Sequence, residues 1–170
     1  MGLSIDDINN RGEEDFVSLL AAIFEHSPWV AELVYDQRPF ADRNALHRAM
    51  VDAMRQAPEL QRMALLCSHP ELAGKEAKTG SLTDASQREQ AGAGLDQCSA
   101  DELRNIQTLN QAYRNRFEFP FIIAVTGLDK HQIIAAMERR LANSKSNEFD
   151  TALGEVEKIA RIRIDALIDD

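Results

Sequence analysis

Three side chains in this sequence, His69, Glu89 and Arg163, are of the types that together can move protons on an anionic substrate. An imidazole titrates near neutral pH and can therefore act as both acid and base. A carboxylate can orient the imidazole or bind substrate itself, and a guanidinium binds carboxylates through paired N–H donors. These types are the minimum set for such chemistry, although their spacing does not by itself bring them together.

Arg163 lies on the apolar face of a predicted C-terminal helix. The other members of that face recur at steps of four and three residues: Phe149, Leu153, Val156, Ala160 and Leu167. A guanidinium directed into a core costs several kcal/mol unless an anion meets it. The commoner explanation is an internal salt bridge, or an aliphatic side-chain stem that carries the guanidinium to the solvent at the helix end. The alternative is a site for an anionic substrate.

His69 stands between an apolar segment and Pro70. Because proline disfavours helical geometry in the preceding residue, His69 is predicted to lie at a bend where a helix ends and a side chain can face a cleft. The remaining histidines, His26, His47 and His131, are interpreted as surface or core residues. No pair of histidines has the i, i+4 spacing of a helical metal site, so the sequence predicts no metal.

Glu89 has a competing structural explanation. Ser86 and Glu89 fit a capping box, in which the carboxylate would bind a backbone N–H at a helix start. Thr83 followed by Asp84 is also a good start signal, and a helix that begins there contains both Glu89 and Gln90. Two glycines follow, each costing about 1 kcal/mol in a helix, and they indicate a close approach of backbone or ligand.

Helical periodicity dominates the rest of the chain. Apolar residues at i, i+3, i+4 and i+7 predict amphipathic helices over residues 16–24, 46–54 and 133–141. Helix starts are predicted at Pro28, at Pro58, at Ser99 with Glu102 as a capping box, at Asp129, and at Asn147 before a long helix over residues 148–167.

The apolar run over residues 119–125 has the composition of a strand. It contains Pro120, and the sequence offers no second strand to pair with it, so we predict an extended linker between helices. Residues 74–82 and 143–146 are predicted as loops. The sequence therefore predicts an all-α fold, a single-domain bundle of about eight helices over residues 1–170.

Composition narrows the classes of partner. The chain has 19 Lys and Arg against 28 Asp and Glu, a formal net charge of −9, which argues against nucleic acid because phosphate binding needs a basic surface. Its apolar runs are far shorter than the roughly 20 residues that span a bilayer, and the acidic N-terminus lacks a secretory signal. Cys67 and Cys98 are too few for a disulfide framework. The sequence thus predicts a cytosolic protein that binds neither nucleic acid nor membrane.

Four ordered blocks carry a resemblance to a known family. They are residues 69–74 (HPELAG), residues 82–95 with the Ser86-x-x-Glu89-Gln90 motif, residues 110–123 with Asn110-x-x-Tyr113 before the apolar run, and residues 155–167 around Ile162-Arg163-Ile164. In this order they resemble the 2-oxo-4-hydroxy-4-carboxy-5-ureidoimidazoline (OHCU) decarboxylases over about residues 16–167. The resemblance implies an all-α homodimer, a carboxy-lyase that converts OHCU to (S)-allantoin and carbon dioxide in urate breakdown without metal or organic cofactor.

The resemblance also implies roles for individual residues. His69 would be the catalytic acid/base and Glu89 its carboxylate partner. Substrate contacts are implied for Pro70, Ser86, Gln90 and Arg163 and for the linker residues Phe121, Ile122, Ile123, Ala124 and Val125. An extended backbone has N–H and C=O groups outside any helix that can bind a ureide. Glu118 stands where the family usually has a small residue, often glycine.

Two other functions fit parts of the sequence. A non-enzymatic all-α interaction module would use the acidic surface to recruit basic partners, although net negative charge more often serves solubility. A thiol enzyme using Cys67 beside His69 is disfavoured, because sequence neighbours at a helix end rarely face each other. Arg163 separates the module from the decarboxylase, because only the enzyme would lose substrate binding in Arg163→Met.

Overall fold

The computed structural model describes residues 2–169, which form ten α-helices and two short 3-10 turns. Within this range there is no β-strand, only one isolated bridge, so the all-α prediction is confirmed. None of these helices combines the length and the apolar composition that a bilayer crossing needs. The chain divides into a first unit, residues 1–68 with 157–170, and a second unit, residues 69–156. The single domain stays a prediction.

The first unit contains five complete helices. They are α1 (Ile5–Asn9), α2 (Glu13–Leu20), α3 (Trp29–Val34), α4 (Arg43–Gln56) and α5 (Glu59–Cys67). Helix α3 packs against α2 and α4. Each of these three helices contributes fully buried side chains: Phe16, Leu20, Val30, Leu46, Met50 and Met54. Pro28 and Pro58 directly precede α3 and α5, which confirms both as start signals.

The helix predicted over residues 16–24 ends early, because α2 stops at Leu20. Ile23 and Phe24 are still buried, but they lie in the turn toward α3, where His26 has a φ of 57°. The spacing of apolar residues predicts which side chains reach the core, but it does not predict whether the backbone between them stays helical. The prediction was therefore right about burial and wrong about the helix end.

The second unit contains four complete helices and part of a fifth. They are α6 (Lys75–Thr79), α7 (Asp84–Gly92), α8 (Ala100–Phe117), α9 (Lys130–Arg140) and α10 (Lys145–Leu167), whose last residues belong to the first unit. Helices α8 and α9 pack together. Capping boxes at Ser99 and Asp129 open these two helices, which confirms both start signals.

Two boundaries in the second unit differ from the prediction. Helix α6 lies inside the predicted loop over residues 74–82; its polar sequence has no apolar periodicity that would reveal it. Helix α10 begins at Lys145, so the predicted loop before it is shorter. The Asn147 N–H donates to Ser144 Oγ at 3.2 Å, so Ser144 caps this helix end and the assignment of the cap to Asn147 was wrong.

The segment between α8 and α9 is extended and non-helical, as predicted. Its aromatic rings anchor it to α8: Phe119 and Phe121 lie edge-on to Tyr113, with ring centroids 5.8 and 5.3 Å apart. Such pairs contribute about 0.5–1.5 kcal/mol beyond the area they bury. Side chains rather than strand pairing thus hold this linker in place.

Glu118 directly follows the last residue of α8 and adopts the left-handed conformation, with φ 66° and ψ 16°. Glycine adopts this conformation without strain and commonly follows helix ends, whereas a Cβ makes it unfavourable. This backbone conformation explains why the resembled family usually has a small residue, often glycine, at this position. In this chain the position is occupied by glutamate, which is strained there.

Replacing Glu118 with glycine is expected to stabilise the protein by up to about 1 kcal/mol, because left-handed strain is removed. The ion pair that is lost, with Lys145 at 3.7 Å, is exposed and of a kind that contributes little. Urea unfolding measures the difference. Glu118→Ala is the matched control, since it loses the carboxylate but keeps the strain, and equal stability of the two variants would contradict the explanation.

Candidate active site

His69 lies directly after the end of α5, whose last helical residue is Cys67. This confirms the bend predicted from Pro70. The imidazole is nearly enclosed, with 7% of the residue exposed. We call residues 69–74 the histidine turn.

Two buried side-chain amides hold the backbone of the histidine turn. The Ala73 N–H donates to Gln90 Oε1 at 3.0 Å, and Asn110 Nδ2 donates to the Leu72 carbonyl at 3.0 Å. Gln90 comes from α7 and Asn110 from α8, and both residues are buried. Because a buried amide hydrogen bond is costly to break, the turn has little freedom to change its conformation.

Helix α7 presents three of the expected site residues on one face. Ser86, Glu89 and Gln90 are spaced i, i+3 and i+4, which places them side by side. Ser86 and Gln90 are buried and Glu89 is half-buried. Since Gln90 also binds the histidine turn, the structure brings this face of α7 and that turn together.

The competing capping-box explanation for Glu89 was wrong. Thr83 caps α7, because its Oγ1 accepts a hydrogen bond from the Ser86 N–H at 3.3 Å. Glu89 therefore lies within the helix, beyond the first turn.

The linker backbone is held at two points by side chains. The Ile122 carbonyl accepts a hydrogen bond from Arg140 Nη1 at 2.7 Å, and the Ala124 N–H donates to Glu155 Oε2 at 3.3 Å. Between these two points, the N–H and C=O of Ile123 make no hydrogen bond within residues 2–169. The backbone groups expected to be available in this linker are thus present at Ile123.

The side chains of the linker differ in burial. Phe121, Ile122 and Val125 are buried, whereas Ile123 and Ala124 are half-buried. The buried members anchor the segment, which leaves the middle of the linker nearer to the surface. This division fits a segment that presents its backbone rather than its side chains.

Arg163 belongs to the first unit, where it faces a buried acid. Its Nη2 lies 3.6 Å from Glu25 Oε2, and its Nη1 donates to the Ala22 carbonyl at 2.8 Å. The two charged side chains are 7% and 1% exposed. The internal salt bridge weighed from the sequence is therefore present, and a substrate contact by Arg163 stays a prediction.

Sequence reasoning missed several polar residues around these groups. Asn110 was placed on a helix face but not in the site, although an amide on an apolar stripe was a usable signal. Arg140, Glu155 and Glu25 had no local signal, because their partners are distant in sequence. Among residues 2–169, no three His, Cys, Asp or Glu side chains are grouped to hold a metal ion.

Comparisons with known proteins agree with the resemblance seen in the sequence. The profile of the OHCU decarboxylase family matches residues 9–165. The chain is 42% identical over 162 residues to 2-oxo-4-hydroxy-4-carboxy-5-ureidoimidazoline decarboxylase from Haloferax volcanii, covering 95% of this chain and 94% of that relative.

Two solved structures share the fold. A crystal structure of (S)-allantoin synthase, 32% identical, superposes with a TM-score of 0.78 and covers 98% of this chain and 54% of the other. A crystal structure of OHCU decarboxylase in the presence of (S)-allantoin has a TM-score of 0.72 at 21% identity, with 94% and 100% covered. At that identity the second likeness concerns the fold alone.

Proposed function

Because this chain belongs to the OHCU decarboxylase family, we propose that it converts OHCU to (S)-allantoin and carbon dioxide, as a carboxy-lyase of urate breakdown. The observation that carries the proposal is the match to a relative named for this decarboxylase over nearly the whole of both chains. The buried polar groups of the histidine turn and α7 supply side chains suited to the chemistry.

The substrate contains its own electron sink. The carbon that loses carbon dioxide bears a hydroxyl group and adjoins a ring C=N, which accepts the electron pair released when the carbon–carbon bond breaks. The enzyme has to remove the hydroxyl proton and return a proton to one face of the neighbouring carbon. A group that titrates near neutral pH can do both, so we propose that the reaction needs no metal or organic cofactor.

We assign the proton transfers to His69. Enclosure of the imidazole limits exchange of its proton with water, and a proton delivered from a fixed group reaches only one face of the intermediate. Glu89 is its proposed carboxylate partner, either by orienting the imidazole or by binding the substrate.

The remaining groups are assigned to binding. Gln90 uses Oε1 in the histidine turn, and its NH₂ group makes no hydrogen bond within residues 2–169, so it can donate to substrate. Ser86 lies on the same face of α7, and Pro70 follows the imidazole in the turn. The linker, residues 121–125, offers the Ile123 backbone to the ureide, and Arg163 is the proposed partner of the substrate carboxylate.

We also propose a homodimer in the cytosol, as the family resemblance implies. Light scattering during size-exclusion chromatography should give about twice the mass of one chain. A mass close to that of one chain would contradict the proposed homodimer.

The activity itself is tested on OHCU generated freshly from urate by urate oxidase and hydroxyisourate hydrolase. We expect the purified chain to accelerate OHCU decay and to produce a single hand of allantoin, followed by absorbance and circular dichroism. A chelator in the buffer should leave the rate unchanged.

The matched control for this assay is the same coupled mixture without the chain. Spontaneous decay gives racemic product, which has no circular dichroism. If the chain changed neither the rate nor the handedness, the proposed function would be wrong and a non-enzymatic role would take its place.

A further inference from the structure

We propose that Arg140 and Glu155 are positioning residues, which fix the directions of the Ile123 N–H and C=O and so set how the linker binds substrate. The inference rests on the proposed function and adds two residues to it. Both belong to the second unit, as does the linker.

The argument follows from the planarity of the peptide bond. In a trans peptide the C=O and the N–H lie in one plane and point in opposite directions. Arg140 holds the Ile122 carbonyl, which belongs to the same peptide as the Ile123 N–H. Glu155 holds the Ala124 N–H, which belongs to the same peptide as the Ile123 carbonyl. Each side chain therefore directs the group at the far side of its peptide.

Arg140 is itself fixed by a buried network. Its Nε donates to Glu148 Oε1 at 2.5 Å, and its guanidinium lies 4.3 Å from the centre of the Phe121 ring. The side chains of Arg140 and Glu148 are 10% and 0% exposed. In such surroundings a guanidinium has few alternative positions, which makes its bond to the linker carbonyl well defined.

The acid in this network, Glu148, accepts two further hydrogen bonds besides the one from Arg140. Tyr113 donates its hydroxyl to Glu148 Oε1 at 2.6 Å, and Asn143 Nδ2 donates to Oε2 at 2.9 Å. Burial and the hydrogen bond to Glu148 raise the pKa of the Tyr113 phenol, so it remains a donor. Glu148 thus keeps Arg140 in place without needing the linker, and the bond to Ile122 is additional to the ion pair.

The experiment separates positioning from simple structural support. Arg140→Lys keeps a positive charge for Glu148, but a single ammonium cannot reproduce the guanidinium fork that reaches both Glu148 and the Ile122 carbonyl. We expect KM for OHCU to rise about tenfold with little change in kcat, because a binding contact is weakened. Arg139→Lys, at the exposed neighbouring position on α9, is the matched control.

Glu155 offers a second pair of variants. Glu155→Gln retains an oxygen that can accept the Ala124 N–H, so its KM should stay close to that of the wild type. Glu155→Leu removes the acceptor and should raise KM by a similar factor of about ten. The ¹⁵N amide resonances of Ile123 and Ala124 should move in Arg140→Lys and Glu155→Leu but not in Arg139→Lys.

The outcomes are distinguishable from failure of the proposed function. A wild-type chain that is inactive on OHCU would overturn the function and this inference with it. An active wild type, with KM unchanged in Arg140→Lys and Glu155→Leu while their melting temperatures fall, would overturn the positioning role alone.

Discussion

Replacing His69 with alanine is expected to lower kcat for OHCU by about 10²–10⁴-fold, the usual contribution of a positioned acid or base. The reason is that the imidazole is the proposed carrier of the proton removed from the hydroxyl and of the proton returned to carbon. Product formed in the remaining slow reaction should lose its handedness. Initial rates by absorbance, with circular dichroism of the product, measure both effects.

The fold should survive this substitution. His69 follows a helix end and precedes a proline, and the backbone of the histidine turn is held by Gln90 and Asn110. His69→Asn provides a second variant that fills more of the space but cannot act as a base near neutral pH. His131→Ala, at an exposed position on α9, is the matched control and should keep full activity. Near-wild-type kcat in both His69 variants would rule out the assignment.

Glu89 is the proposed carboxylate partner of His69, and its substitution distinguishes two roles: orienting the imidazole or binding the substrate directly. If the carboxylate orients the imidazole, Glu89→Gln should lower kcat with little change in KM. If it binds substrate directly, KM should rise as well. Glu89→Ala with unchanged kcat and KM would remove this residue from the site.

Local signals explain what could be predicted of this site. Pro70 restricts the residue before it, so the bend at His69 was readable from two adjacent residues. On α7, two start signals competed, and Thr83 caps the helix because its hydroxyl accepts the Ser86 N–H. Which of the two signals starts the helix depends on the backbone geometry. The sequence alone therefore could not decide whether Glu89 caps the helix start or lies inside the helix.

Pairs of residues distant in sequence explain what could not be predicted. Arg163 was identified as an anomaly because a guanidinium on an apolar stripe needs an anion. Its partner Glu25 lies in the turn between α2 and α3, one residue beyond the helix predicted over residues 16–24, and no local pattern marked it as the anion. The contact of Arg140 with the Ile122 carbonyl could not be predicted for the same reason, because only tertiary packing brings α9 and the linker together.

Replacing Arg163 with methionine is expected to abolish measurable saturation by OHCU, with kcat/KM reduced by at least about 30-fold. Loss of a charged partner from a buried hydrogen-bonded pair costs about 2–5 kcal/mol of binding, which corresponds to this range. The same change removes the guanidinium that faces buried Glu25. Breaking a buried ion pair in this way costs about 3–5 kcal/mol of folding stability.

A double variant separates these two effects. Glu25→Gln combined with Arg163→Met replaces the buried charges on both sides, and such replacements are often neutral or stabilising. We therefore expect urea unfolding to show that the double variant recovers much of the stability lost in the single variant. Glu25→Gln alone is the matched control, because it keeps the guanidinium and its bond to the Ala22 carbonyl.

Activity of the double variant then decides what Arg163 does. If the guanidinium binds the substrate carboxylate, restoring stability cannot restore turnover, and kcat/KM should remain as low as in Arg163→Met. Recovery of turnover together with stability would mean that Arg163 serves only the salt bridge with Glu25. The commoner explanation for an arginine on an apolar helix face would then be sufficient, and the carboxylate of OHCU would need another partner among the groups near the histidine turn.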